Sequence, residues 1–225
     1  MKGLLYKDWA LIAGGYKTNF LFLLVFYGLL TVVARMSFLA YAMIFVLGLY
    51  ASSTISMDEN SHWDAYAHTL PVTPGQIVAA KYWLTLLLTA ASIPLSFCLI
   101  ALIPDSRPTL AEIALGLAAA CTVTLFYFSF VIPLSYKFGA AKARSWVSIS
   151  ILVVAFVPIA LLTLLQENAS ESIKNAAASL DATVTATWSE LSLTVAVVGA
   201  LLLFSLLCVA ISWAISVRIY TRKTY

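Results

Sequence analysis

Long apolar runs separated by short polar segments dominate this chain. A membrane-crossing helix needs about 20 mostly apolar residues. Six runs meet that length, at 18–34, 38–57, 77–103, 109–136, 146–166 and 191–217. The third and fourth are long enough to tilt or to extend past the hydrocarbon. Lipid admits only helices and closed barrels, because every backbone amide and carbonyl must be satisfied internally. These runs are too long and too uniformly apolar to be the alternating strands of a barrel. The pattern predicts an all-α integral membrane fold with six transmembrane helices, forming one domain over residues 1–225.

Three polar or amphipathic segments interrupt the pattern. In 1–17, Leu5, Trp9, Ile12 and Tyr16 make one apolar stripe at helical spacing, with Lys2, Lys7 and Asp8 off it. This predicts an amphipathic helix lying in the membrane interface, Trp9 at headgroup level, with Gly14-Gly15 turning the chain into the first span. It serves as a topological anchor or as a docking element. The second segment is a polar island over 57–76, Met-Asp-Glu-Asn-Ser-His-Trp-Asp-Ala-Tyr-Ala-His-Thr-Leu-Pro-Val-Thr-Pro-Gly-Gln. The third is the loop 167–190, whose alanine-rich middle is either a short outer helix that gates or a solvated connection.

The island carries its own punctuation. Thr73-Pro74-Gly75-Gln76 reads as a helix start, with Thr73 as cap, Pro74 in the first position and Gln76 closing a capping box. Pro71 and Pro74 hold Leu70 and Thr73 extended. Over 58–69 a short helix is expected, with Glu59, Trp63, Tyr66 and Leu70 on one face. A short helix joined by a stiff corner to a spanning helix can transmit a push. Tyr and Trp also anchor protein interfaces. The segment is either a docking helix for a partner or an inner loop with aromatic interface anchors.

Composition sharpens this picture. The chain is 62% hydrophobic and 10% charged, against about 25% charged in a soluble domain, so no water-soluble domain is expected. The net charge of +3 is scattered at the ends of apolar runs and implies no nucleic acid. Cys98, Cys121 and Cys208 sit in apolar runs as small buried hydrophobes. Asp8 and Trp9 interrupt the N-terminus early, so no cleavable signal peptide is expected. With the N-terminus placed in the cytoplasm, ten Lys and Arg fall inside (Lys2, Lys7, Lys17, Lys81, Lys137, Lys142, Arg144, Arg218, Arg222, Lys223) and three outside (Arg35, Arg107, Lys174). That bias predicts cytoplasmic termini, a cytoplasmic island and an external 167–190 loop.

The string Met57 to Thr73, followed by Gln76-Ile77-Val78 and Lys81-Tyr82, resembles the ABC-2 type transporter permease family. It is most similar to the small six-span bacterial branch that includes phenol-soluble-modulin exporter permeases. Leu4-Leu5-Tyr6-Lys7-Asp8-Trp9 also resembles that family's start. The likeness spans the whole topology, and its specific motif about 25 residues. It implies a coupling helix between spans two and three that docks on a separate ATP-hydrolysing subunit through Asp58, Glu59, Asn60, Trp63, Tyr66, Leu70 and Pro71. It further implies a dimer of permeases, identical or related, in the plasma or inner membrane, exporting a hydrophobic or amphipathic cargo such as a membrane-active peptide or a lipid-like molecule. ATP and Mg would belong to the partner, with no cofactor on this chain. Where the family commonly has basic residues after the turn, this chain has Pro74-Gly75, which removes any contact those charges would make.

Absences set the alternatives. No phosphate-binding loop is present, so an ATP-driven engine must be another polypeptide. His62 and His68 lie six apart, which is not a helical ligand spacing, and read as solvent-facing. Few ionisable residues fall inside the spans, with Lys81 free to snorkel to the inner surface. This weighs against the main alternative, an ATP-independent secondary carrier or channel, and against a membrane enzyme or enzyme-assembly scaffold. Pro94, Pro133 and Pro158 permit kinks, as hinges or as packing features. Thr122, Thr124, Ser129 and Ser135 are candidates for bonds between helices.

Overall fold

The computed structural model describes residues 2–15, 17–67, 69–103, 108–150 and 190–222. Its elements are α1 (Lys2–Gly15), α2 (Lys17–Ala34), α3 (Ser37–Asn60), α4 (Trp63–Ala67), α5 (Pro74–Ala101) and α6 (Leu110–Phe138). A helix over 140–150 (α7) and then α8 (Glu190–Thr221) follow. Among the described residues, α2, α3, α5, α6 and α8 are long and apolar enough to cross a membrane. The expected fifth span is described only to residue 150, as α7. Its remainder, Pro158 and all of the 167–190 loop but its last residue lie outside the described residues.

The expected start of the third span is observed. Thr73 Oγ1 accepts from the Gln76 amide at 3.4 Å, Gln76 Oε1 accepts from the Thr73 amide at 3.2 Å, and Pro74 opens α5. Thr109 and Glu112 cap α6 in the same reciprocal way. Pro94 and Pro133 stand inside continuous helices.

The element boundaries differ most at the island. The helix expected over 58–69 is absent as such. Instead α3 runs on to Asn60, the chain breaks at His62 with φ of 51°, and α4 is a single turn. Hydrogen bonds from Thr69 and Leu70 to the carbonyls of Tyr66 and Ala67 then close the corner before Pro71.

The N-terminal helix packs against the bundle through one edge of the expected stripe. Leu4, Asp8 and Ile12 are buried, whereas Trp9 of the expected stripe is 56% exposed. Leu5 is half-buried, and Tyr16 lies outside the described residues. Cys121 is buried as expected, but Cys98 faces outward and Cys208 is half-buried.

The bundle keeps an apolar interior, with Ile44, Leu84, Ile100 and Phe128 buried, but departs from a soluble core in two ways. Large apolar side chains such as Phe22, Phe26, Leu29, Leu203, Phe204 and Ile211 point outward, while Thr54, Thr89, Ser92, Ser96 and Thr124 are buried. The buried positions described on α8 are Thr194, Ser205, Ser212, Ser216 and Tyr220, a stripe of hydroxyl-bearing residues. Lipid tails are as apolar as leucine, so helices gain little by hiding leucine from lipid. They gain from close approach and from hydrogen bonds between helices. Here Ser212 donates to the Ser129 carbonyl, and the Tyr82 hydroxyl lies 2.6 Å and 2.8 Å from those of Ser212 and Ser216. Of the hydroxyls expected to bridge helices, that of Thr122 donates to the Ala118 carbonyl of its own helix at 2.8 Å, with the Leu201 carbonyl of α8 a longer second acceptor at 3.3 Å. Those of Thr124, Ser129 and Ser135 bond within α6, where the carbonyl four residues back is closer than any neighbour.

Close approach is tightest where α3 crosses α6. A Cβ on Gly48 would lie 2.5 Å from Phe128 Cε2 and 3.0 Å from Thr124 Cγ2, whereas one on Gly199 would meet nothing within 4 Å. Gly48→Ala should destabilise the protein by about 1–3 kcal/mol and Gly199→Ala by no more than about 0.5 kcal/mol. Thermal unfolding of the detergent-solubilised variants checks the contrast.

Candidate functional site

At one end of the bundle four charged side chains close a square. Asp8 comes from α1, Asp58 from the last turns of α3, Lys81 from the second turn of α5 and Lys7 from α1. Lys81 Nζ lies 2.7 Å from Asp8 Oδ1 and 2.6 Å from Asp58 Oδ2. Lys7 Nζ lies 2.7 Å from Asp58 Oδ1 and 3.1 Å from Asp8 Oδ1. Each ammonium thus bridges both carboxylates, and the square is neutral.

The third valence of each ammonium is also used. Lys81 donates to Thr54 Oγ1 at 3.2 Å, and Lys7 stands 4.1 Å from the centre of the Trp63 ring. The side chains of Asp8, Asp58 and Lys81 are 2%, 9% and 4% exposed. Buried charges are tolerated only when paired and hydrogen-bonded, and here every donor has an acceptor. Lys81 therefore does not snorkel to the surface as expected. The carboxylates beside it are nearer than any water. The cleft next to the square, lined by Asp58, Glu59, Ile77, Lys81, Ser135 and Tyr136, holds about 20 Å³. That is room for one water molecule and no solute, so the square is a joint between helices and not a substrate pocket.

Glu59 makes a second joint. Its Oε2 accepts from the Ala140 amide at 2.7 Å, at the first residue of α7. The free amides and positive end of a helix favour a carboxylate there. Gly139 makes this possible twice over, with φ of 90° and with Glu59 Oε1 only 2.6 Å from where a Cβ would stand. The end of α3 is thus tied to α1 and α5 by Asp58 and to α7 by Glu59.

The seven residues of the expected docking face divide accordingly. Asp58 is buried in the square, Glu59 turns its carboxylate to α7, and Trp63 is half-buried beneath Lys7. Asn60, Tyr66 and Pro71 are exposed, Leu70 is half-buried, and the Tyr66 ring packs tilted against that of Trp63, 5.2 Å between centres. The continuation of α3 to Asn60 and the break at His62 cause this division, because they rotate α4 out of register with Asp58 and Glu59. Sequence reasoning missed Lys7, Asp8, Thr54 and Lys81 as a unit. One signal was present: Asp8 shares a helical face with Leu4 and Ile12, four residues to either side.

The square predicts an asymmetry between single and paired substitutions. Asp8→Leu alone strands Lys81 with one carboxylate fewer and should cost about 3–5 kcal/mol. Asp8→Leu with Lys81→Met leaves the Lys7–Asp58 pair intact and should cost less than the single change. Thermal unfolding of both variants decides it, and equal loss would mean the charges do not act as a unit.

No individual curated protein matches the chain. The sequence profile described as ABC-2 family transporter protein matches residues 3–221, nearly the whole chain. Proteins of this family are membrane transport components, generally not catalytic themselves, that usually work with a cytoplasmic ATPase subunit. With several spans packed side by side and a family match from α1 to the end of α8, the chain belongs to the ABC-2 family and is a multi-pass transmembrane permease of an ABC transporter.

Proposed function

We propose that this permease exports a hydrophobic or amphipathic cargo, driven by a separate ATPase that docks on the one-turn helix α4. The observation that carries this reading is the pair of joints under α4. A load on α4 reaches α1 and α5 through Asp58, Lys7 and Lys81, and α7 through Glu59. A loop without such joints would absorb the load.

On this reading the exposed residues Asn60, Tyr66 and Pro71, with the edge of Leu70, make the contact. Asp58, Glu59 and Trp63 position the contact and relay its movement. The α4 end of the bundle faces the cytoplasm of an inner or plasma membrane, and both termini lie there. Exposed Lys17, Lys137, Lys142, Arg218 and Arg222 gather at that end, which supports the orientation. Two permease copies, identical or related, would pair with two ATPases that hold ATP and Mg. The outward faces, rich in Leu and Phe and poor in charge, support a membrane-active peptide or lipid-like cargo, as in the phenol-soluble-modulin branch the sequence resembles. Each acidic side chain with a described position (Asp8, Asp58, Glu59 and Glu112) already has an internal partner. This weighs against a carrier coupled to proton or sodium movement.

Affinity purification from the native membrane, with mass spectrometry of the retained proteins, tests the reading. Tyr66→Ala should lower recovery of the ATPase subunit by about tenfold, as truncation of an interface aromatic does. Glu59→Ala should keep the subunit bound but release ATP hydrolysis from transport. Undiminished ATPase recovery with Tyr66→Ala would remove α4 as the docking site. A wild-type preparation with no ATPase, even after mild crosslinking, would favour a carrier or channel.

A further inference from the structure

An open groove of about 970 Å³ runs along the bundle, walled by Tyr41, Phe45, Leu49, Val123 and Tyr127 from α3 and α6 and bounded by Arg144 and Ser148 of α7. Its size falls at the upper end of ordinary ligand sites. Its walls are apolar and aromatic except at the α7 side.

Arg144 is the anomaly there. It is half-buried, and its Nη2 donates to the Ser52 carbonyl at 3.2 Å. Its Nε is buried and has no hydrogen-bond partner. Among the described residues no carboxylate pairs with it. Ser52 precedes Asp58 by six residues, so this guanidinium sits roughly 9 Å deeper along α3 than the ion square. A guanidinium stays charged at any working pH. Charges placed at such depth pair with a partner or open onto a polar path. The square shows how this chain treats its other buried cations, with an acceptor for every donor. Among the described residues Arg144 has one acceptor and no counter-ion.

We propose that the groove binds an anionic phospholipid of the surrounding bilayer, with an acyl chain along Tyr41, Phe45 and Tyr127 and its phosphate on Arg144. The guanidinium fork matches two phosphate oxygens, and with Nε buried and one Nη2 hydrogen on Ser52, Nη1 and the second Nη2 hydrogen are the donors left for such a pair. The exposed Ser148 hydroxyl stands one turn away on the same helix as a further donor. As bounded by the described residues the groove is partly open to its surroundings, which gives bilayer lipid a way in. This site needs only that the chain spans a membrane, and it is independent of the ATPase and of the cargo.

The test uses the full chain reconstituted in nanodiscs holding equal phosphatidylglycerol and phosphatidylcholine, then stripped with detergent and weighed by native mass spectrometry. The wild type should retain phosphatidylglycerol over phosphatidylcholine by about tenfold, the worth of one charge-assisted contact. Arg144→Gln should erase that preference, and Arg144→Lys should restore part of it. Ala119→Trp, which fills the groove and leaves the charge, should lower retention of both lipids. Absence of a preference in the wild type, an undiminished one in Arg144→Gln, or full retention in Ala119→Trp would each overturn the site. So would retention of a non-lipid amphiphile in place of phosphatidylglycerol.

Discussion

A charge inside a membrane bundle must find its opposite, and that constraint organises one whole end of this protein. Lys81 lies about two turns into α5 and is buried there. Asp8 and Asp58 neutralise it from two other helices, and Lys7 restores the balance of charge. Because the pairing draws on α1, α3 and α5 together, it fixes how the N-terminal helix sits under the spans. It also fixes where α3 stops and therefore where α4 projects.

Away from that end the bundle is held by a different interaction. Hydroxyl groups on α8 meet Tyr82 and the α6 backbone, and Gly48 lets α3 and α6 come close. These contacts are short and directional. They hold helices in register without the solvent pressure that packs a soluble core. The apolar side chains left outside become the surface offered to lipid, to a second permease or to cargo.

The two joints at the end of α3 give that architecture a mechanical sense. Asp58 and Glu59 are neighbours in sequence yet tie to different helices, one set leading to α1 and α5 and the other to α7. Any displacement of α4 must break or carry both. The family to which the chain belongs usually works with an ATPase subunit, and on the reading proposed above α4 is where its stroke would enter. Arg144 lies on α7 just beyond the Glu59 joint, so the groove and the joint share one helix.

Hydropathy by itself set the all-helical membrane class and the positions of α2, α3, α5, α6 and α8 to within a few residues, because a bilayer demands long apolar runs whatever their packing. Local chemistry also determined the start of α5, since the Thr73–Gln76 cap needs only residues adjacent in sequence. Only the tertiary structure decided which faces turn inward. Lipid makes apolar residues acceptable on every side of a helix, so the stripe of Leu5, Trp9 and Ile12 did not separate buried Ile12 from exposed Trp9, and Asp8, at the edge of that stripe, proved to be the anchor. The same holds for Lys81, Thr54 and Arg144. Their partners lie 27 to 92 residues away in the chain, and periodicity along one helix cannot report a neighbour on another.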